Sequence, residues 1–146
     1  MRILILYTAM LFSLLEVSAQ YHVTAISSTN GTVTMRSTGY GKKADKASID
    51  AELSAIKAVL CVGAGKTPYN NPLIHEGQSA VETKYKVFFD ELYTQGYKTF
   101  VESTVIVTPF GKNTLKQKCI TVDVCIRAEQ LRKHLEKNGI IRKFGL

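Results

Sequence analysis

Cysteine and histidine are the residues of this chain best suited to nucleophilic, acid–base or metal chemistry. There are three of each: Cys61, Cys119, Cys125, His22, His75 and His134. Zinc sites gather such residues at short, regular spacings, and none of these histidines has a second His or Cys at such a spacing. His75-Glu76 lacks the second histidine, four residues on, that a helical zinc protease uses. His134 follows Arg132 and Lys133 on what reads as a solvated helix face. All three histidines are therefore expected at the surface. A cysteine nucleophile needs a base that meets it in space. Arg127, two residues after Cys125, would favour a thiolate, but nothing in the sequence brings a histidine there. No catalytic, cofactor-binding or metal-ligating residue is assigned, and the chain reads as a non-enzyme that needs no cofactor.

The cysteines do not form a simple disulfide framework, because their number is odd. Cys119 and Cys125 are six residues apart in a strand-like run. An unbroken strand separates such residues by roughly 20 Å, far beyond the span of a disulfide. Cys61 could pair with either; three unpaired thiols is the expectation. Gly63-Ala64-Gly65-Lys66-Thr67 resembles the end of a phosphate-binding loop. The full motif needs a glycine five residues before Gly65, where Leu60 stands, and it follows a strand, whereas this segment follows a helix. A glycine-terminated helix accounts for the residues, and nucleotide binding is set aside.

The candidate surface for a partner is different in kind. Val62 to Gln78 is long and irregular, and such connections in compact domains are uncommon and often functional. Pro68 and Pro72 stiffen it, and Tyr69, Leu73 and Ile74 give it apolar weight. These three residues are the expected contact surface; the alternative is that they only seal one end of the core.

The elements that position this loop are legible from periodicity. Val33 and Met35 alternate with Thr32, Thr34 and Arg36, so Thr32 to Gly39 reads as a first strand. Ile49, Leu53, Ile56 and Leu60 share one face of a helix over Ala44 to Cys61, flanked by Ala47, Ala51, Ala55 and Ala58. Ser79-x-x-Glu82 is a capping-box pattern ahead of a second helix to Gln95, with Val81, Tyr85, Phe88 and Leu92 inward and Phe89 beside them. Tyr97 to Thr108 and Lys116 to Arg127 read as strands joined by a turn at Pro109 to Asn113. Val101, Val105 and Val107 share one face of the former. Ile120, Val122, Val124 and Ile126 share one face of the latter, opposite Cys119, Thr121, Asp123 and Cys125. A third helix follows from Ala128 to Asn138, with Leu131 and Leu135 inward and Gly139 as its cap. Ile140, Ile141 and Phe144 return to the core. The order β-α-α-β-β-α predicts an α+β fold, an antiparallel sheet with helices on one face.

The ends and the charge suggest a setting. Arg2, the apolar run Ile3 to Leu15, and Val17-Ser18-Ala19 form the three parts of a secretory signal, with cleavage expected after Ala19. Residues 1–19 are thus expected to be a signal peptide, 20–31 a mobile leader, and 32–146 a single domain. Asn30-Gly31-Thr32 also fits a glycosylation sequon, which carries weight only outside bacteria. The product is expected to be periplasmic or secreted, with no membrane span. The formal charge of +7 resides beyond the signal, because Arg2 offsets Glu16. An exported basic chain meets anionic lipids, acidic glycans or acidic proteins rather than nucleic acid.

The run Gly41-Lys42-Lys43-Ala44-Asp45-Lys46-Ala47, leading into Ala51, Ala55 and Ala58, resembles the entry into the alanine-rich helix of the N-terminal domain of flagellar assembly protein T and of related small bacterial envelope lipoprotein domains. The resemblance covers residues 32–136. It leaves out the Tyr69 to His75 loop and the Phe88-Phe89 helix, and the lipid-attachment cysteine of the lipoproteins has no counterpart. It implies a non-catalytic envelope assembly or binding module whose partner is an envelope protein, with an anionic surface as a further contact. A secreted enzyme or enzyme inhibitor, and a polyanion-binding factor, are the competing readings.

Overall fold

The computed structural model describes residues 22–143; the expected signal peptide and Phe144 lie outside them. Among these residues the chain forms β1 (Val23–Thr29), β2 (Thr32–Tyr40), α1 (Ala44–Cys61), α2 (Gln78–Lys84) and α3 (Lys86–Thr94). A 3₁₀ turn (Gly96–Phe100), β3 (Val101–Lys112), β4 (Lys118–Ile126) and α4 (Ala128–Lys137) complete it. The strands make one antiparallel sheet in the order β1-β2-β4-β3. The fold is α+β.

One face of the sheet is the floor of the core. Val33, Met35, Ser37 and Gly39 of β2 point inward with Ile120, Val122, Val124 and Ile126 of β4. The opposite face carries Arg36, whose guanidinium grips Asp123 with two hydrogen bonds of 2.8 and 2.9 Å, and the Thr38–Thr121 hydroxyl pair at 2.9 Å. The alternation read from β4 holds residue by residue, as does the α4 stripe of Leu131 and Leu135. Ile140 and Ile141 pack against the core as expected.

Helix α1 has the expected bounds and a different buried face. Ala47, Ala51, Ala55 and Ala58 are buried with Ile56, Val59 and Leu60, while Ile49 and Leu53 are only half-buried. The cause is how closely the helix sits on β2. A Cβ on Gly39 would lie 2.0 Å from the Ala47 carbonyl oxygen and 2.3 Å from the Ala51 nitrogen. Only glycine facing alanine allows that approach, so the small residues form the contact. Ser37 fits the same narrow seam by donating its hydroxyl to the Ala51 carbonyl at 2.7 Å.

Other expectations are corrected. The segment 20–31 is not a leader from His22 onward: Val23–Thr29 is an edge strand paired with β2. Asn30 (φ 46°) and Gly31 (φ 80°) form the tight turn between them, the Asn-Gly signature of a two-residue hairpin. The single helix over 79–95 is two, because Tyr85 (φ −115°, ψ 40°) leaves helical geometry. The break resets the buried face, so Phe89 enters the core with Val81 and Leu92, and Phe88 stays half-buried. No capping box forms; Gly77 caps α2, and Gln78 Nε2 donates to Glu82 at 2.9 Å. Residues 96–100 are a 3₁₀ turn, whose three-residue repeat sets Tyr97 and Phe100 side by side in the core. Strand β3 then runs through Pro109, which an edge strand tolerates. Register shifts along it break the alternation, and Val105, Ile106 and Val107 are all exposed.

Candidate functional site

The 62–77 connection is built, not slack. Ile74 N donates to the Leu60 carbonyl at 2.9 Å and Leu73 N reaches the Val59 carbonyl at 3.4 Å. Two carbonyls left over at the end of α1 are thereby satisfied. Ala64 N donates to the Tyr69 carbonyl at 2.7 Å and Asn70 N to the Thr67 carbonyl at 3.0 Å. The Thr67 hydroxyl accepts from Tyr69 N at 3.1 Å. Gly63 (φ 93°) lies under this fold-back: a Cβ there would stand 2.2 Å from the Asn70 carbonyl oxygen. The loop is a compact, self-packed excursion of the kind that carries recognition.

The three candidate residues divide. Ile74 is only 4 % exposed and belongs to the core. Its amide continues the hydrogen bonding of α1, and although nearly buried it lines the same cleft as Tyr69 and Leu73. Tyr69 and Leu73 remain half-buried on the loop's outer side. They face a cleft of about 870 Å³ between the loop, α4 and the Ile140–Lys143 tail. Leu73, Val81, Ile140 and Ile141 form its apolar part, and Glu129, Arg132 and Glu136 of α4 its ionic wall.

That wall is internally paired. Arg132 Nε donates to Glu129 Oε2 at 3.2 Å, and a second guanidinium nitrogen pairs with Glu136. The Arg132 bonds, opposed by burial, hold the Glu129 carboxyl below the usual carboxylate range. Burial, then the Glu129 charge, push the Tyr69 hydroxyl above its ordinary value against the pull of Arg132. Tyr69 therefore stays neutral and can donate. Glu129 N is capped by the Gly31 carbonyl at 3.0 Å, so the β1–β2 turn fixes the start of α4 and with it this wall.

The wall residues were missed from sequence. Glu129, Arg132 and Glu136 stand at i,i+3 and i,i+4 spacing, a pattern that ordinarily marks a solvated helix face. Nothing local indicates that the 62–77 loop folds over that face. The cleft lining contains His75 and the Tyr69 hydroxyl but no serine, threonine or cysteine.

The other reactive residues lie elsewhere. Cys61, Cys119 and Cys125 are unpaired, in line with expectation. Burial and the nearby Glu82 push the Cys61 thiol up to about 11 against the effect of Lys57. Cys125 Sγ donates to Glu102 at 3.3 Å on the open sheet face. His22 and His75 are exposed as expected. His134 is not a plain surface histidine: it lies between Phe88 and Phe100, with ring centroids 5.3 and 5.2 Å away. These rings border a second, smaller cleft between α3, the 3₁₀ turn and α4. The described residues contain no group of three or more His, Cys, Asp or Glu able to hold a metal ion, and no helix long and apolar enough to cross a membrane.

No family model, no curated protein and no solved structure matches the chain.

Proposed function

We propose that this protein is a small exported binding or assembly module of the bacterial cell envelope, acting without catalysis. It engages an envelope protein at the cleft between the 62–77 loop and α4. The observation that carries this reading is the cleft itself: a rigid loop presents Tyr69 and Leu73 beside an apolar strip and a self-paired ionic wall. A preformed surface loses little entropy on binding. An apolar strip edged by charge suits a segment of protein chain bearing one large apolar side chain. Export rests on the three-part pattern of residues 2–19. The envelope setting takes its direction from the resemblance of the Gly41–Ala58 region to envelope assembly domains.

The test is expression of the full chain with a C-terminal tag in a Gram-negative bacterium. The recovered product is expected in the periplasmic fraction with Gln20 as its first residue, together with a retained partner. The pair Tyr69→Ala and Leu73→Ser should release the partner while circular dichroism and the melting temperature stay close to those of the parent chain. A cytoplasmic product with Met1 intact would remove the export reading. Undiminished partner retention by the folded pair variant would remove the cleft.

A further inference from the structure

Six lysines and one exposed leucine meet at one end of the sheet. Lys112 and Lys118 are cross-strand partners at the end of the β3–β4 hairpin, and Lys116 lies in the turn between them. Gly41 N donates to the Lys118 carbonyl at 3.2 Å, which brings Lys42 and Lys43 alongside. A Cβ on Gly41 would stand 3.0 Å from the Lys46 Cβ, so the first turn of α1 completes the cluster. Among the described residues none of these lysines forms a salt bridge. The neighbouring carboxylates are Asp45 and Asp50, the latter accepting from Tyr40 N at 2.8 Å. Like charges directly opposite one another destabilise a hairpin. Lys112 facing Lys118 therefore carries a folding cost that a binding role would explain.

The tip is rigid. Asn113 Oδ1 accepts from Leu115 N at 3.0 Å and from Gln117 N at 2.9 Å, and Asn113 Nδ2 donates to Gln117 Oε1 at 3.1 Å. Lys116 takes the left-handed conformation (φ 60°) that closes this turn. The same turn carries Leu115, 76 % exposed and one residue before Lys116.

We propose that this end docks on the surface of an anionic phospholipid bilayer. The lysines would lie among the headgroups and Leu115 would enter the boundary with the acyl chains. Two features select a lipid surface over other polyanions. The cluster is built from lysine, a point charge suited to a diffuse layer of anions, with no arginine fork for bidentate phosphate recognition. An exposed apolar side chain at the hairpin turn has no use against a glycan or a nucleic-acid backbone, but it does in a membrane interface. The open sheet edge and the cleft at α4 are left free for other contacts.

The experiment is vesicle co-sedimentation of the full chain, with phosphatidylcholine vesicles alone and with a quarter of the lipid replaced by phosphatidylglycerol. Binding should be many-fold stronger to the anionic vesicles and should fall steeply as salt is raised through the range in which surface charges become screened. Each lysine withdrawn should weaken it about five-fold, so Lys112→Gln/Lys116→Gln/Lys118→Gln should lose about 100-fold. Leu115→Asp should lose about ten-fold. All four positions are exposed, and far-ultraviolet circular dichroism confirms that each variant is folded; should the triple variant not fold, Lys42→Gln/Lys43→Gln serves in its place. The Tyr69→Ala/Leu73→Ser pair should bind vesicles like the parent, which separates this proposal from the cleft. Equal binding to both vesicle types, or folded charge variants that bind as the parent does, would overturn it. Binding to heparin as tight as to vesicles, with Leu115→Asp without effect on either, would show a polyanion site and overturn it as well.

Discussion

Gly39 is the residue on which the packing of the molecule turns. The α1 backbone lies so close to β2 that a methyl group at position 39 would overlap the Ala47 carbonyl and the Ala51 amide. Backbone cannot yield as a side-chain tip does, so Gly39→Ala should lower stability by about 3 kcal/mol or more. Gly77, with open space around it and an ordinary φ of −58°, is the control. Gly77 is the N-cap of α2, where alanine is poorer than glycine, so Gly77→Ala should cost only about 0.5–1 kcal/mol. Urea unfolding of the two variants checks the difference. Cys61 gives a second residue-scale expectation. Its thiol is partly buried and held up at about 11, and only the thiolate attacks alkylating reagents. Mass-spectrometric mapping of iodoacetamide labelling on the native protein should find Cys61 modified last of the three. Early modification of Cys61 would contradict the environment described for it.

At the scale of elements, two ion pairs give stability a pH dependence of known sign. Asp123 is held below the usual carboxylate range by the Arg36 hydrogen bonds, and Glu129 by those from Arg132. For each, the folded form releases its proton more readily than the unfolded chain. The stabilisation is complete above the unfolded carboxylate range and is lost as pH falls through the lowered folded values. Urea midpoints should therefore fall on acidification through that range, and Asp123→Asn/Glu129→Gln should flatten the dependence. Because the Glu129 carboxylate is still partly open to solvent, its share should be under about 1 kcal/mol. The same elements mark how far local sequence reaches. The β4 alternation and the α1 and α4 bounds were legible because their periods are long and unbroken. The break at Tyr85, the 3₁₀ turn and the β3 irregularities were not, since each satisfies tertiary packing against a locally acceptable helix or strand pattern. Strand β1 could have been found: Asn30-Gly31 is a hairpin signal, and a polar edge strand reads as a leader only if that signal is passed over.

For the whole molecule, the sheet is covered on one face by helices, and its loops and hairpin divide the surface into separate regions. The cleft at Tyr69 and Leu73 is assembled from the loop, α4 and the tail. The loop half of it was legible as apolar residues in a stiff, overlong connection. The α4 half was not, because it depends on a contact between residues some sixty positions apart. The loop both seals the core and presents a surface: Ile74 is nearly buried and still lines the cleft, while Tyr69 and Leu73 stay half-buried. The most direct test of the cleft is site-specific photo-crosslinking in cells, with a photoreactive side chain at position 73 and, as control, at the exposed Thr83 of α2. A discrete adduct to one envelope protein is expected from position 73, absent from position 83 and abolished by Tyr69→Ala. The same adducts from both positions, or an adduct at position 73 that survives Tyr69→Ala unchanged, would contradict the assignment of this cleft as the binding site.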